Sequence, residues 1–486
     1  MKNKIIYPLI LAATLFGTSC QKSKLNLSPT TNISDVSAFS TPDRILNQVR
    51  GLYANLRSGQ FYGGRYVIYN DIRAEDFINE LTNGVTGLEV WNETVNNNNN
   101  QVTALWAQAY FVINLCNVFL DGMSSGGSGV VGATLAANYN AEARFVRALC
   151  YYSLLQLYAR PYWDGNGAKL GMPIRLSGNT GSGNYNLARS TVAQTYQQVL
   201  DDLNFAEANL PLTYTDALTN TIRAHRNTAI ALKSRVYLSM QQYASVVTEC
   251  NKIVNATAPF SAGTGVAHSL QADITNVFKT PYTTTESIFS MPFNANETPG
   301  TQNQIGFYYS KSAGNGEYSL NPSGIVADAG WTVNDKRRTF NAVVAGKLYL
   351  DKKYAAGNPY TDFVPVMRYS EVLLNLAEAR VRTTNTVDAQ AVALLNAVRN
   401  RSDATVTYTV GSFANATALI DAILNERRIE FLGEGLRSTD LLRLGLPLPG
   451  KTGPSGAVGA VQPSAANYIW PISATELTLN PLCVDN

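Results

Sequence analysis

The segment Asn425–Gly445 restricts the possible folds of this chain more than any other feature, because its charges follow a helical repeat. It reads NERRIEFLGEGLRSTDLLRLG, with apolar residues between the charges. Glutamates recur every four residues, a spacing that places them on one face of an α-helix: Glu426, Glu430 and Glu434. Arginines lie beside them at Arg427, Arg428 and Arg437. We predict a structural, ion-paired helix that orients its neighbours, with these arginines as the nearby partners of the glutamates.

Helical periodicity also covers most of the chain on both sides of residues 256–365. Apolar residues recur at helical spacing in the segments 41–57, 102–121, 141–158, 190–209, 227–240, 243–255, 367–383, 388–401 and 416–433. Ser190 is the expected N-cap of its helix. Pairs of these helices follow one another at intervals of about 35–45 residues, which is typical of tetratricopeptide-like stacking.

The middle of the chain has a different character. Between about 256 and 365 Gly, Pro, Asn, Thr and aromatic residues dominate, which predicts loops with short strands. The asparagine run 96–100 and the glycine-serine stretch 124–132 are predicted loops as well. The predicted fold class is mainly α, with an irregular, loop-rich middle region. We expect one domain over 20–486, in which the helical scaffold spans about 41–255 and 367–445, and a tail spans 446–486.

The N-terminus has the pattern of a bacterial lipoprotein signal. Lys2 and Lys4 form a short basic region, and an apolar run of residues 5–16 follows, too short to span a membrane permanently. The small residues 17–19 then lead to Cys20, although Gly17 replaces the usual leucine of a lipoprotein cleavage site. We therefore predict a signal peptide over 1–19 and lipid attachment at Cys20, with several acyl chains holding the protein firmly to a bilayer.

The nearly balanced charge and the small number of histidines argue against several classes of function. Removal of residues 1–19 takes away two of the 38 basic residues and leaves 36 against 35 acidic ones, so nothing electrostatic favours nucleic acid. The two histidines, His225 and His268, have no metal-binding spacing, and neither a metal nor a cofactor is expected. The string 445–452 matches a phosphate loop, but Pro447 and Pro449 lack the N–H groups that would bind phosphate.

The cysteines after Cys20 are widely spaced and form no zinc or thioredoxin-type motif. Three of them, Cys116, Cys150 and Cys250, lie in apolar helical contexts. We predict that these three are buried free thiols.

The quoted C-terminal segment closely resembles the signature of SusD/RagB-like proteins, the outer-membrane nutrient-binding lipoproteins of Bacteroidetes. Other strings resemble the same family in the expected order: AEARFVRALCYYSLLQLYARPYW (141–163), GMPIRL (171–176), RSTVAQTYQQVLDDLNFAEANLP (189–211), MRYSEVLLNLAEAR (367–380) and PISATELTLNP (471–481). The resemblance covers nearly the whole chain and is weakest between about 256 and 365. It implies a SusD-like helical fold.

The resemblance also implies a function without covalent chemistry. The protein would be a cell-surface lipoprotein of the outer membrane that captures an oligosaccharide. It would deliver this ligand to a SusC-like, TonB-dependent transporter and act as a lid above the transporter lumen.

The family resemblance suggests ligand residues by region, in the segment after the first helices and in the variable middle. Sugars present C–H patches that stack on aromatic rings, and Asn, Asp and Arg orient their hydroxyls. Trp91 and Trp331 are large rings in loop-like contexts where burial is not obvious, so ligand contact is one interpretation of each ring and local packing is the other. The candidate ligand-binding residues are Asp71, Arg73, Trp91, Asn92, Tyr308, Tyr309, Tyr318 and Trp331.

Two alternatives stay open at this point. The first is a binder of peptides or another nutrient in the same transport role. The second, less favoured, is a glycan-degrading enzyme, because a glycosidase needs only two carboxyl groups about 5–10 Å apart. The candidate acids are Asp71, Glu75, Asp76 and Glu80, for which surface residues on a short helix are the simpler interpretation.

Overall fold

The computed structural model describes residues 35–486 and confirms a mainly α fold. The predicted signal peptide and Cys20 lie outside the described residues. The α-helices are α1 Asp35–Ala38, α2 Pro42–Leu56, α3 Arg65–Ile72, α4 Leu88–Trp91, α5 Asn100–Gly122, α6 Ser128–Val131, α7 Ala133–Tyr158, α8 Val192–Asn209, α9 Ala217–Ile222, α10 Arg226–Ser239, α11 Tyr243–Cys250, α12 Ile305–Tyr309, α13 Tyr369–Thr384, α14 Ala389–Ser402, α15 Ala416–Glu430, α16 Arg437–Arg443 and α17 Ala474–Leu479.

The long helices pack in sequence order, as the predicted stacking requires. Helix α5 packs on α7, α7 on α8, α8 on α10, α10 on α11, and α11 on α13, which also contacts α14 and α15. One continuous hydrophobic cluster extends from Ile45 to Cys483. Cys116, Cys150 and Cys250 are buried within it as free thiols, which confirms their predicted burial. The assignment of 20–486 to one domain stays a prediction.

Short strands form antiparallel pairs that are mostly built from the middle region. The strands are β1 Phe77–Asn79, β2 Ser287–Met291, β3 Tyr318–Leu320, β4 Ala342–Val344, β5 Lys347–Tyr349, β6 Val364–Arg368, β7 Lys451–Gly453 and β8 Gly456–Val458. They pair as β1 with β3, β2 with β6, β4 with β5, and β7 with β8. The predicted helix at 367–383 begins only at Tyr369, because Met367 and Arg368 continue β6 and pair with β2.

Several predicted helix bounds need correction. Thr191, and not Ser190, caps α8: its Oγ1 accepts the N–H of Gln194, whose side chain accepts the N–H of Thr191, a capping box. The prediction of a loop at 124–132 is wrong, because a π-helical turn over Met123–Gly127 leads directly into α6. Helix α7 begins eight residues before the predicted start at 141.

Helix α5 is long and apolar enough to meet the criteria for a membrane span. The most apolar 18-residue window of the stretch Asn100–Val131 has a mean hydropathy of 1.4, but half of that window is buried inside the protein. Trp106 and Ile113, for example, face the core. The apolar character of α5 is therefore that of a core helix packed on α7.

The charged segment is structural, as predicted, but its geometry and ion pairs differ from the prediction. Helix α15 ends at Glu430, and Gly433 and Gly435 then adopt left-handed φ values of 80° and 74°. Such values favour glycine, since they strain residues that carry a Cβ. Glu434 therefore lies in the turn after the helix, and not on its face.

The glutamates pair with cations from distant segments instead of the neighbouring arginines. Glu426 pairs with Arg337 and Arg399. Glu430 pairs with Arg337, Arg368 and Arg401. Glu434 pairs with Arg368 and Lys353. The neighbouring arginines pair elsewhere: Arg427 with Asp440, Arg428 with Glu75 and Asp76, and Arg437 with Glu75. This buried network joins the irregular middle region to α14 and α15.

Candidate functional site

The two tryptophans predicted to meet ligand are buried. Trp91 is 0% exposed and Trp331 is 2% exposed. The indole N–H of Trp91 donates to the Phe77 carbonyl at 2.8 Å, and the Lys451 ammonium lies 5.4 Å from the Trp91 ring centroid. A Cβ added at Gly453 would lie 2.9 Å from the same indole, so the β7–β8 hairpin packs directly on it. Both rings therefore pack locally, as the second interpretation predicted, and neither lies open on a loop.

Trp331 is covered by its own neighbourhood. The guanidinium of Arg338 lies 4.7 Å from its ring centroid and also donates to its backbone carbonyl. A cation over an aromatic face is a stabilising contact that occupies the surface a sugar would need. Trp331 is thus part of the packing of the middle region.

The predicted polar and tyrosine side chains also form contacts inside the protein. Arg73 is fully buried and donates to the Glu93 carboxylate at 3.2 Å and to the Tyr468 carbonyl at 2.9 Å. Tyr308 stacks on Tyr318 with ring centroids 6.0 Å apart, and its hydroxyl donates to the Gln302 carbonyl. These side chains have internal partners and are closed to a ligand in this structure.

Asp71 carries a buried carboxyl group that accepts hydrogen bonds from two donors. It accepts the Tyr309 hydroxyl at 2.8 Å and the Gly435 N–H at 3.0 Å. Burial raises the pKa of Asp71 to about 8, although both hydrogen bonds act to lower it. Asp71 and Tyr309 therefore anchor the Gly435 turn to α3. Among the predicted residues Asn92 alone is partly exposed, and its side-chain oxygen accepts the Ser455 hydroxyl at 3.2 Å.

The acids considered for glycosidase chemistry also have partners within the protein. Asp76 is buried and pairs with Arg428 at 2.5 Å, and Glu75 pairs with Arg437 at 2.5 Å. Glu80 forms an ion pair with Lys347. Their positions agree with structural ion pairs, and buried Asp71 and Asp76 are not the surface acids that the sequence suggested.

A groove of about 590 Å³, lined mostly by polar residue types, lies elsewhere, between α5, the loop of residues 173–187 and α17. We call it the asparagine groove. Volumes of about 300–1,000 Å³ are typical of small-ligand sites. Its lining residues are Tyr110, Ile113, Asn114, Asn117, Arg175, Asn179, Gly183, Asn184, Tyr185, Asn186, Glu476, Leu479 and Asn480.

One stripe of α5 builds the first wall of the asparagine groove. Tyr110, Asn114 and Asn117 recur at helical spacing, so their side chains share one face. The Tyr110 hydroxyl donates to the Pro173 carbonyl at 2.9 Å, and the Asn117 amide donates to the Arg175 carbonyl at 3.0 Å. The Asn114 amide donates to the Asn179 carbonyl and accepts the Asn179 N–H. These bonds fix the loop of residues 173–187 on the helix.

The C-terminal segment builds the opposite wall. The Asn480 side chain accepts the Leu187 N–H and donates to the Leu187 carbonyl, both at 2.8 Å. The Glu476 carboxylate accepts the indole N–H of Trp106 and the guanidinium of Arg175, each at 3.3 Å. The loop is thus held from both sides, and the groove is preorganised, which lowers the entropy cost of binding.

Tyr185 offers an aromatic surface at the groove. It is 39% exposed, and its hydroxyl donates to the Gly181 carbonyl at 2.7 Å. A Cβ on Gly183 would lie 3.2 Å from the ring, so the glycine allows the ring to lie against the loop backbone. A partly exposed, restrained ring is suited to stack on the C–H face of a sugar.

Free amide groups lie next to this ring. The side chains of Asn179 and Asn186 form no hydrogen bond within the described part of the chain, and Asn184 uses only its oxygen, which accepts the Asn186 N–H. A primary amide carries both donors and acceptors, as a sugar hydroxyl does. The groove therefore combines an aromatic platform with unpaired amides, the elements that orient and hold a glycan.

A second cleft of about 650 Å³ lies beside Trp163 and Lys169. Its polar side chains are mostly engaged: Arg160 pairs with Asp164 at 2.6 Å and donates to backbone carbonyls, and Asp485 accepts the Ile472 N–H. Fewer groups remain there to orient a ligand, so the asparagine groove is the better candidate.

The sequence contains one signal that predicts this groove. Helix α5 is apolar over most of its length, yet Tyr110, Asn114, Asn117 and Asp121 form a polar stripe along it. Asp121 extends the docking of the loop by accepting the Gly178 N–H at 2.8 Å. A polar stripe on an otherwise buried helix indicates a specific polar partner, because buried polar groups need hydrogen bonds.

Comparison with known proteins decides the family. The family model described as "SusD family" matches residues 235–486, and the model described as "Starch-binding associating with outer membrane" matches residues 27–238. The chain belongs to the SusD family. This confirms the resemblance noted in the sequence and gives the chain a carbohydrate-binding role in a family associated with the outer membrane.

Individual SusD relatives match over nearly the full length. SusD-like protein P2 of Formosa agariphila is 25% identical over all of this chain and 99% of its own. A SusD superfamily protein from Bacteroides fragilis is 32% identical, with a TM-score of 0.81 over 92% of this chain and 99% of its own. The surface glycan-binding protein A from Bacteroides uniformis shares the fold, with a TM-score of 0.73 at 20% identity over 92% of this chain and 99% of its own.

Proposed function

We propose that this SusD-family protein is an outer-membrane lipoprotein that faces the cell exterior and captures an oligosaccharide there. It delivers the ligand to a SusC-like, TonB-dependent transporter and closes over the transporter lumen. The role is binding, and no bond of the ligand is made or broken. Family membership supports the carbohydrate ligand and the membrane association.

The asparagine groove is the observation that carries this proposal. It places the Tyr185 ring beside free amides of Asn179 and Asn186 on a preorganised loop. This pairing of a stacking surface with hydroxyl-binding groups suits an oligosaccharide better than an oligopeptide, whose apolar side chains would need apolar pockets. The fold shared with a surface glycan-binding protein agrees with this choice.

Glycan capture is tested by titrating purified protein with a panel of oligosaccharides and oligopeptides in a calorimeter. We expect one or more oligosaccharides to bind, and Tyr185→Ala to weaken that binding by about 1–3 kcal/mol, as for an aromatic hot spot. Phe111→Ala is the matched control, because Phe111 is a 49% exposed ring on α5 that does not line the groove. Binding of oligopeptides alone would replace the glycan proposal with a peptide binder, and sustained glycan cleavage would show an enzyme.

The lipid anchor is tested separately at Cys20. Cys20→Ala removes the thiol that would carry acyl chains, so we expect the variant to leave the membrane fraction and appear in the soluble fraction. Fractionation followed by immunoblotting measures this, and Cys483→Ala is the control because Cys483 is a buried thiol within the fold. Equal membrane retention of the Cys20→Ala variant would refute the anchor.

A further inference from the structure

The asparagine groove has an unusual charge composition for a polar site. Six of its thirteen lining residues are asparagine. Arg175 is the sole cation among these lining residues in the described chain, and Glu476 is the sole carboxylate. The two side chains pair with each other at 3.3 Å, so the groove carries no net charge.

We infer that this groove selects neutral oligosaccharides and disfavours anionic ones, such as chains that carry uronic acids or sulfate esters. The inference rests on the proposed glycan-binding function and adds the class of sugar. It follows from the ion pair that Arg175 already forms and from the groups that remain free to bind.

The positive charge in the groove is already satisfied. The Arg175 guanidinium donates to the Tyr185 carbonyl at 2.7 Å and to Glu476 at 3.3 Å. Glu476 itself is held by the Trp106 indole N–H and by the Asn480 amide, the latter at 2.7 Å. Breaking this pair to bind a new anion would leave Glu476 without its cation.

An anionic ligand would therefore meet no available cation. Its carboxylate or sulfate would lose water without gaining an ion pair, and an ionised group is costly to desolvate unpaired. It would also lie near the Glu476 carboxylate, and like charges placed together suppress binding. Both effects act against an acidic sugar and leave a neutral one unaffected.

Neutral hydroxyls match the groups that remain. Asn179, Asn184 and Asn186 each offer at least one unpaired amide group, and an amide can donate to one hydroxyl oxygen and accept from another. The exposed face of Tyr185 adds stacking that does not depend on charge. The groove thus offers hydrogen-bonding groups for the hydroxyls of a sugar and a ring for its C–H face.

The experiment compares two oligomers that differ only in charge. The first is the neutral oligosaccharide that binds most tightly in the panel, and the second is the same oligomer with its primary alcohols oxidised to carboxylates. At about 0.15 M salt we expect the oxidised oligomer to bind the wild-type protein at least about tenfold more weakly. Higher salt should strengthen the binding of the oxidised oligomer by screening Glu476 and leave the neutral oligomer nearly unchanged.

Charge variants locate the effect in the groove. Glu476→Gln leaves Arg175 without its carboxylate, so the preference for the neutral oligomer should shrink or reverse. Arg175→Gln removes the cation and should enlarge the preference instead. Phe111→Ala should leave both affinities unchanged, and circular dichroism checks that each variant folds. Should Glu476→Gln fail to fold, the salt dependence of the wild-type protein decides the question.

The possible failures are distinguishable. Equal or tighter binding of the oxidised oligomer to the wild-type protein, or binding of acidic glycans alone in the panel, would overturn the inference and leave glycan capture intact. A neutral oligomer that binds Tyr185→Ala and Asn186→Ala as tightly as the wild-type protein would place the sugar site elsewhere. Absence of binding by every glycan would instead refute the proposed function.

Discussion

Replacing Glu430 by glutamine is expected to lower the free energy of unfolding by about 3–5 kcal/mol, the range for breaking a buried ion pair from one side. Glu430 is 1% exposed and meets three guanidinium groups, those of Arg337, Arg368 and Arg401. Burial acts to raise the pKa of Glu430, but these arginines hold it well below its usual range. The glutamine side chain has a similar volume and carries no charge to compensate them.

The size of this effect comes from the cations left behind. Arg337 and Arg368 are fully buried, and each pairs with further carboxylates besides that of Glu430. Arg337 also pairs with Glu426, and Arg368 also pairs with Glu434. Loss of one central carboxylate leaves the network with excess positive charge in the interior, where neither water nor salt screens it well. The variant should also loosen the contact between the middle region and α15, because Arg337 comes from the former and Glu430 from the latter.

Denaturant unfolding followed by fluorescence and circular dichroism measures this change, with the slope of the transition compared between variants. Lys336→Ala is the control: its ion pair with Asp273 is 52% and 39% exposed at the two side chains, and an exposed pair contributes about 0–1 kcal/mol. If Glu430→Gln unfolds within about 1 kcal/mol of the wild-type protein, the network does not stabilise the fold as argued.

Local signals predicted the helices well, and contacts between distant segments explain the errors. The capping box at Thr191 and Gln194 needs only neighbouring residues, so the sequence came within one residue of the cap. The partners of Glu430 come from residues 337, 368 and 401, and no local spacing indicates them. The helical repeat correctly placed Glu426 and Glu430 together, whereas Gly433 ends the pattern before Glu434.

The site was harder to predict for the same physical reason. Trp91 lies among glycines and asparagines, which indicate an open loop, yet the hairpin at 451–458 folds back over its ring from the far end of the sequence. The asparagine groove likewise combines α5, a loop about 60 residues later and the C-terminal segment. Its α5 stripe is visible in the sequence, but the segment that it faces is determined by tertiary packing.

The second large effect concerns acid stability and the only two histidines of the chain. His225 and His268 are buried at 0% and 1% exposure and stack on each other with ring centroids 5.3 Å apart. Tyr369 covers the other side of His268 at 6.0 Å, and the His268 Nδ1 bonds the Thr285 carbonyl at 3.0 Å. Burial lowers the pKa of His268 to about 4, although this hydrogen bond opposes the shift. Burial and the neighbouring His268 also lower the pKa of His225 well below its usual value.

These depressed pKa values make the folded state sensitive to acid. Below about pH 6.5 the histidines of the unfolded chain bind protons while those of the folded protein stay neutral, so the free energy of unfolding falls as the pH falls. For His268 the fall ends near its folded pKa of about 4 and amounts to about 3 kcal/mol, since one pKa unit corresponds to about 1.36 kcal/mol. Unfolding curves between pH 7.5 and about pH 4 should therefore be compared for the wild-type protein and His268→Asn, whose amide keeps a donor but does not titrate. The stability of the wild-type protein should fall more steeply below about pH 6.5, whereas parallel curves would show that His268 is not the group responsible.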